Sequence, residues 1–233
     1  MTGSLGPSFD QARIDALRAS IASGSTVSTP ASPEKPKSSS RALWRNAGIT
    51  ILAFTALLYA IEFIDVLDDN ALDQDGIRPR TLDGLWGILW APLLHYGWGH
   101  LIANTLPLIV LGFLALLAGI ARGVAATGVI WLVAGVGTWL TGETNSVHLG
   151  ASALIFGWLT FLITRGLFTR SLAQIAIGLV VLFVYGGLLW GVLPGAQGIS
   201  WQGHLFGAIG GVIAAWVVSS RGSGAKKQNA IAA

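Results

Sequence analysis

The chain has 233 residues, of which 53% are hydrophobic and only 11% are charged. Soluble domains carry about 25% charged residues, so this composition excludes an ordinary soluble domain and predicts an integral membrane protein. The chain has no cysteine, which excludes disulfide bonds and thiolate metal sites. Its net charge of +3 does not indicate nucleic-acid binding, because the basic residues flank apolar runs instead of forming a patch.

The first forty residues differ in composition from the rest of the chain. They contain no apolar run of the kind found in a signal peptide. Residues 22–40 are rich in Ser, Pro and Lys, a composition that buries too little apolar surface to fold. We therefore predict a mostly disordered tail over 1–40, a membrane domain over 41–221 and a short C-terminal tail over 222–233.

The membrane domain contains six apolar runs, each long enough for a helix of about 20 residues to cross a bilayer. An acidic segment and then a Trp-rich amphipathic stretch, from Leu82 to Leu94, separate the first two runs. The predicted fold class is an all-α membrane protein with six transmembrane helices. In chain order, the runs cover about 45–66, 97–119, 123–141, 147–165, 171–192 and 201–219.

Basic residues lie almost entirely on one side of these six runs. Twelve of the fourteen lysine and arginine residues lie in or next to the two tails or the turns after the second and fourth runs. Only Arg78 and Arg80 fall on the other side. Because basic residues favour cytoplasmic loops, we predict a multi-pass protein of the cell membrane with both termini in the cytoplasm.

Strongly polar side chains in membrane helices are costly and often functional. In this sequence they cluster toward the outer ends of the second, fourth and sixth runs. Small residues accompany them, and such residues let helices approach closely. The small residues are Gly150, Ala153 and Gly157 in the fourth run and Gly203, Gly207 and Gly211 in the sixth. The polar residues are His95, His100, Asn104, His148, Ser152 and His204.

Ser152 and His204 suggest a chemical reaction. A serine hydroxyl is a poor nucleophile until a base takes its proton, and histidine suits that task near neutral pH. The second, fourth and sixth runs contain no Asp or Glu, so a Ser–His dyad is predicted in place of a triad. Hydrolysis also needs donors for the oxyanion. The candidates are His100, Asn104 and the Ser152 backbone N–H.

These motifs resemble those of the rhomboid intramembrane proteases. Three motifs occur in order over about 45–219: His95-x4-His100-x3-Asn104, Gly150-Ala151-Ser152, and His204 followed by Gly207 and Gly211. The resemblance implies a six-helix rhomboid-like bundle that cleaves transmembrane segments near the outer face of the membrane. It also implies substrate entry past the fifth helix and the loop before the sixth, here Leu193 to Trp201.

The resemblance implies a role for each motif residue. Ser152 would be the nucleophile and His204 the general base, while His100 and Asn104 would join the Ser152 N–H at the oxyanion. His95 would be structural, holding the first loop to the membrane helices. Three features depart from the family pattern: Ala153 follows the serine where glycine is common, Phe156 stands where many members stack a tyrosine on the base, and the Trp-Arg pair of the first loop is absent. His148 matches no family role and is interpreted as an interface residue.

Other functions remain open from the residues alone. A catalytically inactive rhomboid-like protein would bind membrane clients without cutting them, although such relatives usually lose the serine or the histidine. A metal or haem protein would need converging ligands, and a transporter would show internal repeats or broken helices. Neither pattern is evident here. The expected partners are transmembrane substrates and the lipid bilayer, with no nucleic acid, no metal and no cofactor.

Overall fold

The computed structural model describes residues 38–195 and 198–231, together with the single residues 15, 18, 19 and 22. Side chains are described for the same single residues and from 40 to 195 and 198 to 219. The predicted disordered tail over 1–40 therefore lies almost entirely outside the described residues. Its predicted end differs from the structure, because the first helix begins at Ser38.

Six helices of the described chain are long and apolar enough to cross a membrane. The predicted fold class is confirmed: the protein is an all-α, multi-pass membrane protein. A short helix, α2 (Gly87–Trp90), lies in the loop after the first spanning helix. The spanning helices are α1 (Ser38–Leu67), α3 (Gly97–Leu116), α4 (Ile120–Thr141), α5 (Ser152–Thr169), α6 (Leu172–Tyr185, continued by a 3₁₀ segment, Gly186–Val192) and α7 (Trp201–Ile231).

The helix α5 begins at Ser152, about five residues later than the predicted start of the fourth run at about residue 147. His148 is held in extended backbone by two hydrogen bonds with Ile77, one in each direction at 2.8 and 2.9 Å. Gly150 then adopts a positive φ of 119°, a conformation that favours glycine. These two features delay the helix until Ser152, which becomes its first residue.

The last helix continues beyond the apolar run. Its membrane-crossing part covers Trp201–Ser219, but the helical backbone extends to Ile231. Most of the predicted C-terminal tail over 222–233 is therefore a continuation of α7. The turn between the second and third runs also differs from prediction, because α3 ends at Leu116 and α4 begins at Ile120, so that Arg122 lies inside α4.

The loop between α1 and α3 is amphipathic, as its sequence predicts. Leu82 and Trp86 are 81% and 68% exposed, whereas Gly87 and Ala91 are buried. The Trp131 indole N–H donates to the Ile88 carbonyl at 2.7 Å, which fastens α2 to α4. The loop therefore has one face against the helices and one apolar face directed outward, an arrangement suited to the membrane interface.

Close contact between α5 and α7 brings the polar residues together. A Cβ at Gly207 would overlap the Ala153 carbonyl, and a Cβ at Gly211 would overlap the Gly157 carbonyl. In lipid, helices associate through packing and not through exclusion of water, so such backbone-to-backbone approach stabilises the pair. The small residues of these two helices thus set the short distance between their outer ends.

Candidate active site

Ser152 occupies the N-terminus of α5, where a helix leaves backbone N–H groups without intrahelical partners. The turn before it is held on two sides. The Gly150 N–H donates to the Ala91 carbonyl at 2.8 Å, and the Ala151 N–H donates to Nε2 of His95 at 3.3 Å. Because the positive end of the helix dipole also lies here, the position favours negative charge beside the serine.

His204 lies in the first turn of α7 and is joined to Ser152 by a hydrogen bond. The distance from His204 Nε2 to Ser152 Oγ is 2.9 Å. On the other side of the ring, Nδ1 lies 3.0 Å from the Gly191 carbonyl oxygen. The ring of Phe156 stacks on the imidazole, with centroids 4.0 Å apart and planes inclined by 10°. Three contacts therefore fix the orientation of the imidazole.

The Gly191 carbonyl also determines where the imidazole carries its proton. A carbonyl oxygen can only accept, so the neutral ring is protonated at Nδ1 and Nε2 has a free lone pair. That lone pair faces the Ser152 hydroxyl. The orienting partner of His204 is thus a backbone carbonyl of the 3₁₀ segment after α6, where a triad would have a carboxylate.

His100 and Asn104 lie one turn apart on α3 and line the same cavity as Ser152 and His204. The His100 ring packs where a side chain on Gly150 would be, with Cε1 2.6 Å from that Cβ position. Its Nδ1 accepts the Tyr96 N–H at 3.4 Å, which leaves Nε2 as the donor nitrogen of the neutral ring. The Asn104 Nδ2 is buried without a hydrogen-bond partner. Both side chains therefore have a donor available near Ser152.

His95 is completely enclosed, with 1% of its surface exposed. Burial, assisted by the nearby His100, lowers the pKa of His95 from 6.5 to about 3, so the ring is neutral at physiological pH. Because a neutral ring keeps a lone pair, Nε2 can accept the Ala151 N–H. His95 thus contacts the turn immediately before Ser152. The predicted role was more general, namely to hold the first loop to the membrane helices.

The cavity around these residues has a volume of about 910 Å³. Its walls come from α3, α5, α7, the loop between α4 and α5, and the segment between α6 and α7. Polar side chains meet there in a region otherwise surrounded by apolar helices. A cavity of this size can hold a short stretch of peptide together with water.

The predicted interface role of His148 is wrong. The side chain is only 9% exposed, and both ring nitrogens are hydrogen-bonded inside the protein. Nε2 lies 2.8 Å from Ser146 Oγ, and Nδ1 lies 2.8 Å from Ser200 Oγ. A histidine four residues before the candidate nucleophile was visible in the sequence. The contribution of Ser200 and of the Gly191 carbonyl was not, because neither residue type nor local pattern sets them apart.

The fold and the site together define a class: a six-helix membrane protein with a hydrogen-bonded Ser–His pair in a cavity between the helices. The sequence model of the Rhomboid domain matches residues 82–221. The chain therefore belongs to the rhomboid family, a family of intramembrane proteases, which confirms the resemblance. Within the described part of the chain, no group of three or more His, Asp or Glu side chains is placed to hold a metal ion.

Several curated proteins are similar to this chain. Relatives from Mycobacterium tuberculosis and Mycobacterium bovis are 56% identical over 188 residues, covering 77% of this chain and 78% of their own length, and are named as uncharacterized proteins. YdcA of Bacillus subtilis, named as a candidate rhomboid protease, is 28% identical over 141 residues, which are 59% of this chain and 70% of its own. No solved structure matches the chain significantly.

Proposed function

We propose that the protein is an intramembrane serine endopeptidase that cleaves transmembrane segments of other membrane proteins through a Ser152–His204 dyad. The observation that carries the proposal is the 2.9 Å hydrogen bond between Ser152 Oγ and His204 Nε2, with the opposite ring nitrogen held by Gly191. A serine whose hydroxyl faces the free lone pair of an oriented imidazole is arranged for nucleophilic attack.

The first half of the reaction forms an acyl-enzyme. As Ser152 Oγ attacks the carbonyl carbon of the scissile peptide, its proton passes to His204 Nε2. The carbonyl oxygen becomes an oxyanion, which accepts hydrogen bonds from the Ser152 N–H, His100 Nε2 and Asn104 Nδ2. When the tetrahedral intermediate collapses, the C–N bond breaks and His204 gives its proton to the departing amine.

The second half restores the enzyme. Water from the cavity attacks the acyl carbon while His204 takes one of its protons. The ester bond to Ser152 Oγ then breaks, the same proton returns to that oxygen, and a carboxylic acid leaves. Phe156 and the Gly191 carbonyl keep the imidazole in one orientation through both steps, so no large rearrangement is needed between them.

The membrane context supports a transmembrane segment as the class of substrate. The cavity lies among the N-terminal ends of α3, α5 and α7. The concentration of basic residues in the two tails and in the turns at the opposite ends of these helices supports a cavity near the outer face and cytoplasmic termini. Among the spanning helices of the described chain, α6 is the least buried, with only 11% of its spanning window covered by the rest of the protein. A transmembrane substrate would enter past α6 and the loop from Leu193 to Trp201, then unwind to reach Ser152.

A fluorophosphonate probe tests the proposal, because it modifies only activated serines. We expect wild-type protein in detergent or proteoliposomes to be labelled at Ser152, and neither Ser152→Ala nor His204→Ala to react. Ser171→Ala is a matched control: Ser171 precedes α6 and lies outside the cavity, so labelling should persist.

Cleavage of a transmembrane peptide should follow the same pattern across the variants. A folded wild type that neither reacts with the probe nor cleaves the peptide would contradict the proposal. That result would favour a rhomboid-like protein that binds membrane clients without cutting them.

A further inference from the structure

A second Ser–His pair lies beside the first. His148 and Ser200 are hydrogen-bonded at 2.8 Å, and Ser152 and His204 at 2.9 Å. Each member of the second pair stands four residues before a member of the first, with the residue types exchanged. The two pairs are therefore successive links between the same two segments, the entry to α5 and the entry to α7.

The hydrogen bonds around His148 have a single consistent direction. The Ser146 hydroxyl donates to the Glu143 carbonyl at 2.6 Å, so toward His148 it can only accept. His148 Nε2 must then carry the proton, and Nδ1 accepts. The Ser200 hydroxyl consequently donates to Nδ1, which leaves its lone pairs free for another donor.

Ser200 uses those lone pairs to cap α7. It immediately precedes Trp201, the first residue of the helix, and its Oγ accepts the Gly203 N–H at 3.2 Å. Its carbonyl accepts the His204 N–H at 3.1 Å. A serine at this position satisfies helix N–H groups that would otherwise lack partners. The cap therefore orders the one helical turn that bears His204.

The fit around His148 is tight. The ring nitrogen Nε2 lies only 2.7 Å from the position that a Cβ on Gly142 would occupy. The His148 backbone is paired with Ile77, and the side chain is nine-tenths buried. Because the histidine is fixed by its backbone and its neighbours, it can hold the Ser200 hydroxyl in one orientation.

We propose that the His148–Ser200 hydrogen bond is a clamp that fixes the distance and angle between Ser152 and His204. His148 and Ser200, which also line the cavity, are then positioning residues: they act on Ser152 and His204 through the first turn of α7. The inference rests on the proposed function, because it assigns these residues a part in setting up the Ser152–His204 dyad.

The clamp predicts a loss of rate and not of substrate affinity. Displacement of a catalytic group by about 1 Å can reduce turnover by roughly 100-fold. We expect Ser200→Ala and His148→Ala each to lower kcat and the rate of fluorophosphonate labelling by about 10- to 100-fold, with KM for a transmembrane peptide changed less than about twofold. Ser200→Thr retains the hydroxyl and should stay within about threefold of wild type.

Two further variants separate the clamp from general destabilisation. Ser171→Ala removes the serine before α6, which makes no side-chain capping bond, and should leave both rates unchanged. The double variant His148→Ala/Ser200→Ala should be no slower than the slower single variant, because both changes break one interaction. All rates are taken per folded protein. If His148→Ala does not fold, Ser200→Ala against Ser200→Thr still gives the comparison.

The outcomes are distinguishable. If the wild-type protein is labelled and Ser200→Ala is labelled at the same rate, the clamp is wrong and the proposed function still stands. Additive losses in the double variant, or a probe adduct on Ser200 in the digested protein, would also overturn it. A folded wild type without any labelling would overturn the proposed function, and the clamp would fall with it.

Discussion

Asn104 presents an unusual side chain for a membrane helix. Its amide is buried, it lines the cavity beside Ser152, and its Nδ2 has no hydrogen-bond partner. A buried donor without a partner costs free energy in the resting protein. An unpaired donor is useful to an enzyme if it binds an oxyanion that exists only during the reaction. A hydrogen bond that forms only in the transition state accelerates the chemical step.

We therefore predict that Asn104→Ala lowers kcat by roughly 10- to 1,000-fold, the range found when one oxyanion donor is removed. KM should change little, because the interaction is absent from the bound substrate. Steady-state cleavage of a transmembrane peptide measures both constants. Thr105→Ala is the control, since this neighbouring hydroxyl bonds the Leu101 carbonyl and Tyr59 outside the cavity. Unchanged turnover in Asn104→Ala would remove Asn104 from the oxyanion site.

The polar residue types, the small residues beside them and the motif resemblance together predicted which polar side chains would converge. Ser152, His204, His100 and Asn104 all line one cavity, because polar groups in a membrane helix face the protein interior. The partners that orient them could not be predicted. The Gly191 carbonyl belongs to a backbone that any residue would supply, and Ser200 is one hydroxyl among many until the entries to α5 and α7 are brought together.

At the scale of helices, the apolar runs predict existence and order well but predict ends poorly. Hydropathy shows which stretch of the chain is apolar enough for the lipid interior, whereas the ends of a helix depend on local backbone hydrogen bonds and dihedral angles. The entry to α5 is the clearest case: residues 147–151 are apolar enough to continue the run, yet the pairing of His148 with Ile77 and the positive φ of Gly150 delay the helix. Pairing with a distant loop leaves no signal in the run itself.

The contact between α5 and α7 leads to an element-scale prediction. A methyl group at Gly207 would overlap the Ala153 carbonyl, so the helices would have to separate. We expect Gly207→Ala to lower the unfolding temperature and to reduce turnover at least about tenfold. Ser152 and His204 lie next to this contact on the same two helices, so separating the helices would lengthen the hydrogen bond between them.

A matched substitution on α4 provides the control. A Cβ at Gly128 would meet no atom within 4 Å. Since alanine is the better helix former, Gly128→Ala should keep both the unfolding temperature and the activity. Equal behaviour of the two variants would show that close approach at Gly207 does not set the geometry of the dyad.

Buried histidines make the stability of the whole molecule depend on pH. Burial lowers the pKa of His95 to about 3, and burial also lowers the pKa of His148. In an unfolded chain, a histidine takes up a proton as the pH falls through about 6.5. The stability contributed by neutral His95 is therefore complete above about pH 6.5 and is lost as the pH falls from there toward 3.

We predict that the unfolding temperature in detergent falls between pH 7 and pH 4.5, and that the fall is shallower in His95→Gln, whose side-chain oxygen can still accept the Ala151 N–H. Asp73 acts in the opposite direction: burial and Asp65 raise its pKa to about 6, so its contribution favours the folded state at low pH. Because both proteins retain Asp73, the difference between their slopes isolates His95. Parallel slopes would contradict the prediction.

The distribution of charge across the bilayer gives the last prediction, that both termini lie in the cytoplasm. An even number of spanning helices puts the two ends of the membrane domain on one side, and the basic residues concentrate there. The sequence has no cysteine, so single cysteines introduced into it report location without background. We expect Asp75→Cys, in the exposed loop after α1, to react with a membrane-impermeant maleimide in intact cells. Gln228→Cys should react only after permeabilisation. The reverse pattern would place the cavity toward the cytoplasm, and substrates would then have to be cut near the inner face.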